Sequence, residues 1–177
     1  MAIQIGAKPD SGFDDPLGML VDCHRRIERF LHILCVVAER APGRPLTSEE
    51  SEAVQSALSY FRSGGQRHTS DEEESLFPRL RAEFESGRFK ELATLESDHR
   101  RANDLHAAVD SLSSTWIASG RLTPEEEQRL VSATKQLEQL YEAHIQVEEH
   151  IVFPRAAEML DDETIRAIGQ EFRSRRE

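Results

Sequence analysis

Cysteine is nearly missing from this chain. Only Cys23 and Cys35 occur, they form no C-x-x-C pair, and this argues against cysteine-based zinc or thioredoxin-type chemistry. They stand twelve residues apart on one expected helix, roughly 18 Å along its axis at about 1.5 Å per residue, which is beyond disulfide reach. Two free thiols in a reducing cytoplasm are expected. Glycine and proline are sparse, at 9 and 7 residues, and aromatic residues make up only 6% of the sequence against 31% charged. That profile suits a helical protein with heavily charged outer faces. No apolar run approaches the ~20 residues of a membrane helix, and the mean hydropathy is -0.57, so a soluble protein without membrane contact is expected. The opening MAIQIGAKPDSG has no basic start followed by an apolar stretch, and no secretory signal is expected. Basic charge is short as well. The 22 Lys and Arg stand against 33 Asp and Glu, a net of -11, and without a basic patch the phosphates of nucleic acid would be repelled. H-E-x-x-H, C-x-x-C-H, the P-loop and the dinucleotide-type glycine run are missing too.

What is present is helical patterning. A chain of 177 residues has the length for one domain with a sizeable core. The expected division is a flexible segment over 1–14 and a bundle domain over 15–177. Asp15-Pro16 starts the first helix, with proline in the first turn where its missing N–H costs nothing. Leu17, Leu20, Val21, Ile27, Phe30, Leu31 and Leu34 follow at helical spacing, to about Ala41. Pro42-Gly43-Arg44-Pro45 ends it. Thr47 with Glu50 is a capping-box signature for the second helix, which Gly64-Gly65 and Pro78 are expected to weaken or bend. Ser86-Gly87 separates it from a third helix over about 88–119, and Gly120 stops that one. Thr123-Pro124-Glu125-Glu126 combines cap, proline and capping-box glutamate at the start of the fourth. A short helix over about 163–172 finishes the chain. Four long helices joined by short loops predict an all-α, up-down-up-down four-helix bundle with a short extra C-terminal helix.

The chain also repeats itself. The twelve residues from His68 to Arg79 match those from His144 to Arg155 at six positions, His, Glu, Glu, Phe, Pro and Arg, with an offset of 76. His24-Arg25-Arg26 matches His99-Arg100-Arg101 with an offset of 75. Two copies of one helical hairpin result. In an antiparallel hairpin, residues equidistant from the turn sit at the same height. The midpoint of His24 and His68 is position 46, in the first loop. That of His68 and His99 falls between 83 and 84, beside the second, and that of His99 and His144 between 121 and 122, in the third. All four histidines are therefore expected in one layer.

Glu72 and Glu148 each follow a histidine by four residues, roughly 40° round the helix and one turn away in height. Each pair thus offers an imidazole and a carboxylate on one side. With His24 and His99 the set holds four imidazoles, two carboxylates and no thiolate, which disfavours soft metals. Two ions suit the two-copy pattern better than one, with His24 and His68 on the first, His99 and His144 on the second, and both glutamates bridging. Two six-coordinate ions have about twelve positions; the protein donors fill about eight and a solvent-derived bridge about two, leaving about one open on each ion. Iron is the first choice, with manganese or zinc as alternatives.

Singly, a buried helical histidine is more often a core residue than a ligand, and H-x-x-x-E more often a helix contact. The metal reading rests on all four histidines at one height in two copies. His106, two turns beyond His99, reads as core or as an outer neighbour of the site, and His32 and His150 as structural or exposed. Glu28, one turn after His24, is a salt-bridge partner, a seventh donor or a group that takes a proton from bound solvent. Tyr141, one turn before His144, packs in the core or beside the site. Glu73 and Glu149 lie about 140° round from their histidines and read as outer or interhelical charge partners.

One His on the first helix, H-x-x-x-E-E followed by F-P on the second, one His on the third and H-x-x-x-E on the fourth resembles the hemerythrin-like family of HHE cation-binding domains. The resemblance covers roughly residues 15–160. It implies a non-haem di-iron centre with an oxo or hydroxo bridge, His24, His68, His99 and His144 as terminal ligands, and Glu72 and Glu148 as bridging ones. Oxygen-carrying members have a second histidine one turn after the third-helix ligand. Asn103 stands there in this sequence, which argues against reversible oxygen carriage. The function implied is binding or sensing of a small diatomic or anionic ligand, such as dioxygen or nitric oxide, or of iron itself. The alternatives are a di-iron oxidase or peroxide-consuming enzyme, and an iron storage or transfer protein. The ferritin-like pattern of two E-x-x-H motifs fits once, at Glu96 and His99, and fails at Tyr141.

Overall fold

The computed structural model describes residues 10–82 and 90–177. The expected break at Ser86-Gly87 and a helix start near Arg88 lie outside the described residues, as does most of the 1–14 segment. Five helical stretches make up almost all of the rest: α1 (Pro16–Arg40), α2 (residues 48–82), α3 (Lys90–Ser119), α4 (residues 124–159) and α5 (Asp162–Ser174). The first four form the up-down-up-down bundle, α1 against α2 and α4, and α4 against α3.

The helix ends follow their local chemistry. The Asp15 side chain accepts the Gly18 N–H at 3.0 Å, with Pro16 in the first turn. Both capping boxes form, Thr47 with Glu50 and Thr123 with Glu126. Gly120 closes α3 with φ of 78°, a left-handed conformation that glycine adopts without strain.

Two helices carry wide turns. The backbone of α2 widens at Phe61–Gly65 and again at Asp71–Leu76, and that of α4 at Glu148–Val152. The first takes up the weakness expected of Gly64-Gly65, so the helix continues through it. The other two directly precede Phe77-Pro78 and Phe153-Pro154. A proline cannot bond the carbonyl four residues back, and its ring crowds that oxygen; a widened turn relieves both problems. The sequence repeat is therefore also a backbone repeat, and Glu72 and Glu148 both lie on it.

The apolar core comes in two parts. Ile27, Leu31, Leu58, Ala102, Trp116 and Leu137 belong to one, and Leu20, Leu76, Phe77, Leu95, Phe153 and Phe172 to the other. Along α1, His24 falls between Leu20 and Ile27; along α3, His99 falls between Leu95 and Ala102. A polar layer is thus enclosed by hydrophobic packing above and below. Helix α5 covers the second part of the core. Its Gly169 lies so near the chain at Phe13 that a Cβ there would overlap the Phe13 carbonyl oxygen. Buried Asp71 pairs with Arg175 at 3.0 Å and Arg176 at 2.6 Å just beyond the helix.

Candidate metal centre

His24, His68, Glu72, His99, His144 and Glu148 meet in that layer, and His99, the most open of them, is only 4% exposed. Glu148 turns Oε2 to His24 Nε2 and Oε1 to His144 Nε2, each at 3.1 Å. Glu72 turns Oε1 to His68 Nε2 at 3.4 Å and Oε2 to His99 Nε2 at 3.3 Å. Two donor groups result, His24 with His68 and His99 with His144, each completed by both glutamates, with the donor atoms of a group within 4.8 Å of one another.

The fit of a cation is tested by the atoms left without partners. Among the described residues, the buried side-chain nitrogens and oxygens lacking a hydrogen bond are His24 Nε2, both nitrogens of His68, His144 Nδ1, all four oxygens of Glu72 and Glu148, and, away from the layer, Glu91 Oε2. An unsatisfied buried polar group costs about 1–3 kcal/mol, so so many in one place require a cation or protons. Donor separations of 3.1–3.4 Å also match neighbouring corners of an octahedron with bonds of about 2.1–2.4 Å. The residues fit the group.

Charge in the layer is divided unevenly. Burial, then the nearby Glu148 charge, pushes the Glu72 carboxyl well above the usual range. Burial acts the same way on Glu148, but His144 and His24 outweigh it and hold that carboxyl low. Burial lowers His24 and His144, and their contacts with Glu148 more than reverse it, leaving both raised. Burial and the charge of His24 keep His68 well below the ordinary histidine value, hence neutral. Protons and a cation compete for the same atoms, since metal ligands must be deprotonated.

Behind the donors stands a ring of supports. Glu149 on α4 accepts the His24 Nδ1 proton at 2.9 Å, and Glu73 on α2 accepts that of His99 at 2.8 Å. In each E-E pair the first glutamate enters the layer and the second grips the histidine of the neighbouring helix. Such a contact leaves Nε2 free as the donor and fixes the ring. Phe153 stacks on His24 with centroids 5.6 Å apart, and Phe77 on His99 at 6.3 Å. Sequence reasoning assigned no role to these phenylalanines, although the F-P repeat marked them. It also missed Asp98, whose Oδ2 lies 3.5 Å from His144 Nδ1. Asp98 has no repeat counterpart to draw attention to it.

Glu28 lies outside both donor groups. Its side chain is 51% exposed and pairs with Arg25 at 3.3 Å, while Arg25 reaches Glu149 at 2.9 Å, so it braces the support from outside. Asn103 is exposed and lines a cavity of about 510 Å³ between α2 and α3, together with Phe61, Thr69, Ser70, His106 and Tyr141. Tyr141 is buried between cavity and site, its hydroxyl 3.2 Å from His106 Nε2 and its ring 6.2 Å from that of His144. His106 packs on Phe61 with centroids 4.4 Å apart, and burial lowers it to about 4. His32 and His150 are exposed. Among the described residues no helix is long and apolar enough to cross a membrane.

The comparisons with known proteins agree with this geometry. The profile of the hemerythrin HHE cation-binding domain matches residues 15–159. An uncharacterized protein of Haemophilus influenzae is 26% identical over 166 residues, covering 93% of this chain and 92% of that protein. The profile spans α1 to α4 and includes all six residues of the layer; the chain belongs to the hemerythrin HHE cation-binding family and is a hemerythrin-like metal-binding protein.

Proposed function

We propose that the chain holds two iron ions through His24, His68, Glu72, His99, His144 and Glu148, and that it binds or senses a small ligand such as dioxygen or nitric oxide. The observation that carries this reading is the sharing of the carboxylates. Each glutamate turns one oxygen to one histidine pair and the other oxygen to the second pair, an arrangement suited to bridging two ions. Bound iron would supply coordination positions that the protein leaves open to a small molecule. The chain's own residues hold those positions in a dry layer. Glu73 and Glu149 orient two rings, and Phe77 and Phe153 exclude water from one side. The cavity between α2 and α3, with Tyr141 at its inner end, offers a small molecule an approach from the other. Asn103 at its wall, in place of an imidazole, favours sensing over oxygen carriage. Buried free thiols at Cys23 and Cys35 suit the reducing cytoplasm as the place of work.

Anaerobic loading with ferrous iron tests the proposal. Metal analysis is expected to give two ions per chain, and the absorption spectrum of the oxidised protein is expected to shift with azide or nitric oxide. Saturation at one ion per chain or fewer would end the di-iron reading, and a spectrum indifferent to both ligands would end the small-ligand one.

A further inference from the structure

The two halves of the layer differ in what stands behind the histidines. Each ring turns Nε2 toward a glutamate and has Nδ1 on the far side. At His24, Glu149 lies 2.9 Å from Nδ1; at His99, Glu73 lies at 2.8 Å; at His144, Asp98 lies at 3.5 Å. Among the described residues neither His144 Nδ1 nor His68 Nδ1 makes a hydrogen bond, but His144 Nδ1 faces the Asp98 carboxylate and His68 Nδ1 faces none. The repeat locates the missing group. Asp98 comes just before His99 and reaches over to His144; at the corresponding place before His24 the sequence has Cys23. The Cys23 sulfur is taken up by Arg26, whose guanidinium lies 3.6 Å away. Two carboxylates, Glu73 and Asp98, therefore stand behind the His99–His144 group, and one, Glu149, behind the His24–His68 group.

We propose that the site is asymmetric, with a tightly held ion at His99 and His144 and an exchangeable one at His24 and His68. This rests on the two-ion reading above. To bind an ion through Nε2, a neutral imidazole keeps its proton on Nδ1. A carboxylate that accepts this proton fixes the tautomer and makes Nε2 a stronger donor; losing such a partner typically weakens metal binding 10–100-fold. His68 instead carries a buried N–H that no carboxylate faces among the described residues. The first divalent ion then stays with the protein, and the second enters and leaves with the free metal concentration.

Titration of the apoprotein with cobalt(II), followed by its visible absorption and by calorimetry, tests the asymmetry. Two steps are expected, with dissociation constants about 10–100-fold apart. Repulsion between two ions could also split equal positions, so the assignment depends on variants. Asp98→Asn, at a side chain 30% exposed, is expected to weaken the tight step and leave the loose one in place. His68→Ala is expected to remove the loose step and preserve the constant of the tight one. Two equal steps in the unaltered protein, an Asp98→Asn effect confined to the loose step, or loss of the tight step in His68→Ala each overturns the asymmetry and leaves the two-ion reading standing. Saturation at a single ion per chain overturns the two-ion reading itself.

Discussion

His106 shows how one residue type takes on opposite duties a few ångströms apart. Its ring packs on Phe61 and meets the Tyr141 hydroxyl, and burial lowers it to about 4 from an ordinary 6.5. The folded protein thus binds fewer protons here than the unfolded chain between those values. The stabilisation is complete above pH 6.5 and is lost as pH falls toward 4, at up to about 1.4 kcal/mol per pH unit. His106→Gln removes this dependence. Urea unfolding of the two apoproteins across pH 4 to 6.5 is expected to show the steeper decline in the unaltered protein; parallel declines would mean that His106 protonates freely in the fold. Composition treats the seven histidines alike. Repeat and loop spacing separated the four of the layer from the other three, but the tyrosine partner of His106 comes from a residue 35 positions away and had no local signal.

Among the elements, the caps were legible because they are local: a Thr with a Glu three residues on satisfies itself within a single turn. The turns before Pro78 and Pro154 were legible only as a difficulty. The proline rule states that a helix must give way there, and the surrounding packing decides that it widens rather than breaks. The sequence also predicted a short last helix over about 163–172, found as Asp162–Ser174, without saying where it docks. Gly169 supplies a test with an unusual sign. Glycine to alanine within a helix ordinarily stabilises by about 1 kcal/mol. Here the added Cβ overlaps the Phe13 carbonyl, and Gly169→Ala is expected to destabilise by about 1–3 kcal/mol in denaturant unfolding. A more stable variant would show that α5 does not rest on this segment in solution.

For the molecule as a whole, the layer of donors is a polar fault between two apolar cores, and a bound cation repairs it. Metal that binds only the folded state adds about 2.7 kcal/mol at a hundredfold excess over its dissociation constant, which for a chain of this length corresponds to about 5–10 °C in Tm. Chelation is expected to lower the calorimetric midpoint by that amount, and reloading to restore it; a midpoint unmoved by chelator would mean that the layer's stability owes nothing to metal. The sequence by itself determined the four helices, their order and the height at which the histidines lie, because helix periodicity and loop position are properties of neighbouring residues. It also marked Glu72 and Glu148, which share a helix face with a histidine. Only the tertiary structure decided that each carboxylate faces both histidine pairs, that Glu73 and Glu149 hold rings on adjacent helices, and that Asp98 faces His144 at 3.5 Å while, among the described residues, no carboxylate faces His68 Nδ1. Those contacts join different helices, and their geometry depends on how the helices rotate and approach when both cores pack, which no local pattern encodes.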